Sequence, residues 1–301
     1  MLLVLQAAFS SAEFLLCCKC YSQRFGAGKE YLMEPKRNEL VSLFPSVAAQ
    51  IRNTLASLHL AANQLAPSSA REQDPALDEK AAHLDQSYYQ LLRLVNNLSM
   101  AAYLTSEHPL NLQDCDLVAL VKQLCDKAAS LAVHLNLTVH FVCSAERHIC
   151  AVAPESMEYI LSHLLSNALK FTPAGGSITV ELKCLSGRVL ISVEDTGSGI
   201  PEETLSMLFD RYLHTDQISP PPHGLGLGLS LCLQMAEGHG GTLMAESHEG
   251  KGSRFTLSLP DRQLGKGVSD VSVDYSGGFN RTLLNLSDAM PVEAFLIRNQ
   301  D

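Results

Sequence analysis

The chain has 301 residues, 46% of them hydrophobic and 18% charged, a composition that suits a folded protein and excludes a wholly disordered or collagen-like one. Lys and Arg number 22 against 32 Asp and Glu, for a formal net charge of −10. So acidic a chain is a poor coat for nucleic acid or an anionic membrane, which both require a basic face. Trp is absent and aromatics make up 6%, so stacking on bases or sugars is not the expected chemistry.

Met1 to Cys18 is apolar but is interrupted by Gln6, Ser10, Ser11 and Glu13, and no Lys or Arg precedes it. A spanning helix needs about 20 nearly uninterrupted apolar residues, and a signal peptide needs a basic start. The expectation is a cytoplasmic chain without a membrane span, whose residues 1–35 form one or two short buried strands, a candidate sensor remnant. The nine cysteines are scattered, and no spacing repeats as paired CxxC knuckles, so structural zinc is not expected. Cys17-Cys18-Lys19-Cys20 leaves a soft-metal site open; the plainer reading is small buried thiols in a reducing compartment.

Residues 36–109 read as two long helices. Leu40, Phe44, Val47, Ile51, Leu55, Leu58, Ala62 and Leu65 recur in steps of three and four, one stripe along a helix that Pro67 ends. Asp74-Pro75 restarts it, an N-cap followed by Pro at the first helical position. Leu77, Ala81, Leu84, Tyr88, Leu91, Val95, Leu98 and Ala102 then form a heptad seam. An antiparallel hairpin of this kind cannot cover both of its apolar faces, so a homodimeric four-helix bundle is the expectation. Packing on the rest of its own chain is the alternative.

Residues 110–260 change to short strands alternating with helices. Strands are expected at Leu137–Cys143, Ser177–Cys184, Arg188–Glu194, Gly241–Glu246 and Ser253–Leu259, and helices at Pro154–Lys170 and Leu227–Gly238. An α/β two-layer sandwich with a mixed sheet follows, and the whole chain is α+β. Residues 261–301 read as a loose tail with a weak helix near Leu283–Ala289. Asn280-Arg281-Thr282 matches a glycosylation acceptor, by chance in a cytosolic chain.

Four short segments carry chemistry. Asp195-Thr196-Gly197-Ser198-Gly199-Ile200-Pro201 follows an apolar strand; Gly197 and Gly199 would let the backbone approach a ligand closely, and the Asp195 carboxylate could accept a hydrogen bond from an exocyclic amine. Alone, this could be a tight turn or a calcium-style loop. His223-Gly224-Leu225-Gly226-Leu227-Gly228-Leu229 opens into a helix and exposes backbone N–H groups, a natural phosphate seat. A dinucleotide fold is excluded, because Pro220-Pro221-Pro222 rather than a strand precedes it. Gly250-Lys251-Gly252-Ser253 is a tight turn before the last strand. In Leu164 to Pro173, Asn167 and Lys170 share a helix face; an amide oxygen suits Mg²⁺ and a lysine suits a phosphate. The bland alternative there is an exposed polar helix face.

The order of these boxes, with Leu208-Phe209-Asp210-Arg211-Tyr212 between them, resembles the ATP-binding domain of sensor histidine kinases, within the gyrase, kinase and MutL-like ATPase superfamily. The resemblance covers about residues 110–260. It implies ATP and Mg²⁺ as cofactors, Asp195 reading the adenine amino group, and Asn167 holding Mg²⁺. Gly197, Gly199, Ile200, Gly224, Gly226, Leu227 and Gly228 would line the nucleotide with Lys170, under a lid from Arg211 to His223. His163 departs from the pattern. The family often has Asn there, and the ATP-hydrolysing relatives have a Glu that activates water, so efficient ATPase chemistry is not expected.

The hairpin is similar to the dimerisation and phosphoacceptor hairpin of the same kinases, which implies two-component signalling and a response-regulator receiver domain or partner kinase as partner. Against the family form His-Glu-Ile-Arg-Asn-Pro-Leu, this chain has Ala49-Gln50-Ile51-Arg52-Asn53-Thr54-Leu55. Phosphoryl acceptance needs an imidazole nitrogen assisted by a neighbouring carboxylate; Ala49 and Gln50 supply neither. Autophosphorylation is therefore doubtful, and a pseudokinase or receiver phosphatase is the alternative, with Asn53 as the residue that could position water. His59 and His83 are the other acceptor candidates, read more simply as solvated surface histidines.

Overall fold

The computed structural model describes residues 37–105, 109–205, 207–209, 227–265, 267–268 and 280–299. Expectations for residues 1–35, the Cys17–Cys20 cluster, the lid, Gly224 and Gly226 fall outside them. The chain divides into two compact units, Met1–Val41 and Ser42–Asp301, and the account below concerns the second.

The helical hairpin is present. Helix α1 spans Arg37–Leu65 and a short α2 spans Ser68–Arg71, starting directly after Pro67. Helix α3, Pro75–Thr105, starts where expected: Asp74 Oδ1 accepts from the N–H groups of Ala76 (3.0 Å) and Leu77 (3.2 Å), two donors that a helix start otherwise leaves unpaired. The pairing is antiparallel, since Arg52 reaches Ser99 while His59 reaches Asp85.

Beyond the hairpin lie β1 (Gln113–Asp116), α4 (Leu117–Ala132), β2 (Thr138–Cys143), β3 (Ile149–Val152) and α5 (Pro154–Phe171). There follow β4 (Ser177–Leu185), β5 (Arg188–Asp195), α6 (Glu202–Leu205), α7 (Gly228–Gly238), β6 (Thr242–His248) and β7 (Gly252–Pro260). The main sheet has the order β2-β4-β5-β7-β6, with β2 parallel to β4 and the other pairs antiparallel. Alternate residues Ile178, Val180 and Leu182, then Val189, Ile191 and Val193, then Phe255, Leu257 and Leu259, are buried beneath the helices. That period of two marks a sheet covered on one face.

The periodicity reading left α4 and the small β1–β3 ladder unassigned. Asp116 caps α4 through the N–H groups of Val118 and Ala119, and Leu117, Leu120, Val121, Leu124 and Ala128 line its buried face. Helix α5 has no side-chain cap. Instead the N–H of Ala153 donates to His239 Nε2 (3.0 Å), and His239 Nδ1 lies 2.6 Å from the Met235 carbonyl, tying the end of α7 to the start of α5.

The tail differs most from expectation. Residues 280–299 are packed rather than loose. Helix α8, Arg281–Leu286, is capped by Asn280, whose Oδ1 accepts from the Leu283 N–H. Phe295 and Ala294 are fully buried, and Leu283, Leu286 and Met290 nearly so. The apolar spacing of this stretch is too irregular to read as a periodic face, which is why the segment looks loose in one dimension.

Candidate functional site

Strand β5 delivers Asp195 to the site. The residue is 6% exposed, and Oδ1 accepts from the N–H groups of Gly197 (2.8 Å) and Ser253 (3.3 Å). Burial raises the Asp195 pKa, and the two backbone donors act against that rise by favouring the ionised form.

The loop after Asp195 is stitched to two neighbours. Ser198 N–H donates to the Phe171 carbonyl at the end of α5 (3.2 Å). Toward the β6–β7 turn, Gly250 N–H donates to the Ser198 carbonyl (2.7 Å), and Ile200 N–H donates to Ser247 Oγ (2.8 Å). Gly197 and Gly199, expected to admit a ligand, admit the protein's own backbone. A Cβ on Gly197 would strike the Phe171 carbonyl, and one on Gly199, at φ +69°, would strike the carbonyl of His248. The acidic loop and the Gly250–Ser253 turn are thus one assembly.

Helix α5 carries Asn167 and Lys170, both half-buried. Burial lowers the Lys170 pKa, Asp288 opposes that effect and Arg93 adds to it, while Nζ lies 5.1 Å from the Phe171 ring centroid. One turn before Asn167, the His163 ring stacks parallel to Tyr159, with centroids 6.0 Å apart, and Nδ1 lies 3.3 Å from Arg93 Nη2. Burial, with Arg93 and Lys170 nearby, pushes His163 down to about 3. The imidazole is therefore neutral at pH 7 and accepts from Arg93 at Nδ1. Its Nε2 side abuts the start of α7, where a Cβ on Gly228 would run into the ring. Leu227 beside it is buried.

These contacts bring the loop after Asp195 to the C-terminal end of α5 through Gly197 and Ser198, hold Gly199 and Ile200 against β6, and place Gly228 on the face of α5 at His163. Ala49 and Asn53 belong elsewhere: with Gln50 they are exposed on α1. His83 is exposed as expected. His59 is not, because Nε2 lies 3.1 Å from Asp85 Oδ1 and the ring stacks on Tyr88 at 4.1 Å. Although burial pushes Asp85 up, its bonds to His59 and Arg71 hold it below the usual carboxylate range.

The residue that sequence reasoning missed is Arg93 on α3. It is 6% exposed, donates from Nη1 to Ser166 Oγ (2.9 Å), and pairs with Asp288 at 3.2 Å. Linear spacing hides it: Arg93 and Ser166 are 73 positions apart, and an Arg between seam residues reads as a solvated flank.

A mixed sheet backed by helices thus ties together an acidic strand end, an Asn-bearing helix and the start of a glycine-led helix. Residues 153–263 match the histidine kinase-, DNA gyrase B-, and HSP90-like ATPase family, and the chain is a relative of sensor histidine kinases with an ATP-binding domain of their type. It is 31% identical over 178 residues to the alginate biosynthesis sensor protein KinB of Pseudomonas aeruginosa, covering 59% of this chain and 29% of that protein. To the sensor protein DivL of Caulobacter vibrioides it is 30% identical over 226 residues, covering 75% of this chain and 26% of DivL. To the adaptive-response sensory kinase SasA of Synechococcus elongatus it is 40% identical over 108 residues, covering 36% of this chain and 28% of SasA. The chain thus spans under a third of the length of each of these relatives. Among solved structures, full-length ShkA in complex with AMPPNP superposes with a TM-score of 0.59 at 24% identity, covering 74% of this chain and 46% of that one; this likeness concerns the fold alone. Among the described residues no helix is long and apolar enough to cross a membrane.

Proposed function

We propose that the chain binds ATP with Mg²⁺ and works in two-component signalling as a histidine-kinase-type protein whose phosphoryl acceptor is not residue 49. The observation that carries this reading is Asp195. A buried carboxylate, with one oxygen held by two backbone N–H groups, presents a fixed acceptor that suits the exocyclic amine of adenine. On α5, Asn167 offers a hard amide oxygen and Lys170 a cation three residues on, the donor types that suit Mg²⁺ and phosphate. Bound Mg²⁺ would neutralise charge on the phosphates. Lys170 would hold the phosphate end, and Asp195 would orient the base. His163, neutral and weakly basic, is a poor activator of water, so the bound nucleotide is spared rapid hydrolysis.

The exposed apolar residues of the hairpin support a homodimer closed as a four-helix bundle. A receiver domain or partner kinase would supply the acceptor that Ala49 does not. The second reading, a pseudokinase whose nucleotide changes dimer or partner binding, is favoured by the loss of both His and Glu at Ala49-Gln50. Incubation with γ-labelled ATP and Mg²⁺ separates the two. Label that survives alkali but not acid, and that disappears in Asn167→Asp, establishes phosphohistidine transfer. Measurable ATP binding without label, alone or with partner, establishes the pseudokinase. Absence of ATP binding overturns both.

A further inference from the structure

The packed tail contacts both the hairpin and the nucleotide domain. On the hairpin side, Arg71 Nη2 donates to the Phe295 carbonyl (3.0 Å), Gln86 Nε2 to the Met290 carbonyl (2.9 Å), and the Ile297 N–H to Asp78 Oδ1 (3.2 Å). Arg71 is itself held by Asp78 and Asp85 at 2.9 and 2.8 Å, so the end of the tail is anchored to a buried charge network. Toward the nucleotide domain, Arg281 pairs with Glu158 of α5 at 2.7 Å, and Asn285 Nδ2 donates to the same carboxylate (3.2 Å).

Between these two sets sits Asp288. Its carboxylate pairs with Arg93, which at the same time donates to Ser166, the neighbour of Asn167. A single acidic residue of the tail is therefore linked through one guanidinium to the helix that carries Asn167 and Lys170. We propose that residues 280–299 are an intramolecular strap that clamps the nucleotide domain to the hairpin, and that anionic nucleotide loosens the strap by competing with Asp288 for the cations Arg93 and Lys170. The coupling half of this proposal rests on the nucleotide-binding reading; the clamp does not.

The physical logic is electrostatic. Asp288 already acts on Lys170, favouring its charged form. Phosphates drawn to Lys170 place further negative charge near Asp288, and like charges in a partly buried setting repel strongly. While the strap is closed, the nucleotide domain is held to one place on the hairpin. Release lets it reach an acceptor or a partner surface. Nucleotide and strap are thus linked sites, and each weakens the other by the same factor.

Hydrogen–deuterium exchange on the full chain tests both halves. In Asp288→Asn, exchange in residues 280–299 and around Arg93 is expected to rise about tenfold, the loss of one charge-assisted bond, while β5 and β7 keep their protection. Phe295→Ala should give the same pattern with a larger rise. Equal loss in β5 and β7 for Asp288→Asn would show the segment to be part of the domain core, and unchanged exchange in residues 280–299 would show that Asp288 does not hold it; either overturns the clamp. Adding Mg-ATP or a non-hydrolysable analogue to the wild type should reproduce the Asp288→Asn pattern. Binding detected in the same sample with exchange unchanged overturns the coupling alone. Absence of binding overturns the coupling together with the nucleotide reading, and the substitutions still decide the clamp.

Discussion

The nucleotide domain buries its apolar stripes throughout, whereas the hairpin buries only part of its own, at Tyr88, Val95 and Ala102 of α3. Along β4, β5 and β7 every second side chain is buried beneath α4, α5 and α7. Along the hairpin, Val47, Ile51, Leu58, Leu65, Leu84 and Leu91 stay between 39% and 85% exposed, although they belong to the two stripes with the most regular spacing in the sequence. The contrast teaches that periodicity marks a face to be covered without saying what covers it. The domain covers its own faces. The hairpin covers one with the tail and α5, and the other stays exposed, the face on which the proposed homodimer would close.

Five measurements would break or sharpen this contrast. The largest effect is expected in the buried charges. Asp85→Ala removes one of the two carboxylates that hold Arg71 and the carboxylate beside His59, and should cost about 3–5 kcal/mol by denaturant unfolding. In the domain core, Ile191→Ala should cost about 2–5 kcal/mol. The hairpin substitution Leu84→Ala should change monomer stability by less than about 0.5 kcal/mol, yet weaken self-association measured by sedimentation. Equal costs at Ile191 and Leu84 would mean that the hairpin stripe is core rather than interface.

At the site, Asp195→Asn should weaken ATP binding by about 10- to 100-fold in calorimetry while leaving exchange in residues 280–299 unchanged without nucleotide. A pH titration reads a more gradual effect. The folded-state pKa of His163 is lowered to about 3 from an ordinary 6.5. The unfolded chain therefore takes up the proton first as pH falls, and stability is lost progressively from about pH 6.5 down toward pH 3. By pH 5 the loss from this group is about 2 kcal/mol. Replacing it, as in His163→Asn, should flatten that slope, and His239, also lowered by burial, should keep a residual slope of the same sign.

Much of the site was legible as a set of short segments. Asp195 at a strand end, Asn167 and Lys170 three apart on a helix, and Gly228 opening another helix are local facts, and local geometry follows from spacing and residue type. The reasons behind some of them were not. Gly199 and Gly228 are constrained by His248 and His163, far away in the chain. The acidic loop holds its shape through Phe171 and Ser247.

The sequence by itself determined the helical hairpin, the two-layer domain and the boxes in their order. Each of these rests on periodicity, capping or residue identity within a few positions. Only the tertiary structure decided that His59 is engaged rather than solvated, that Arg93 reaches the Asn-bearing helix, and that residues 280–299 contact both the hairpin and α5. Those outcomes depend on partners 26 to 224 positions apart, and burial and charge pairing at such separations are set by how the elements pack, which no local pattern records.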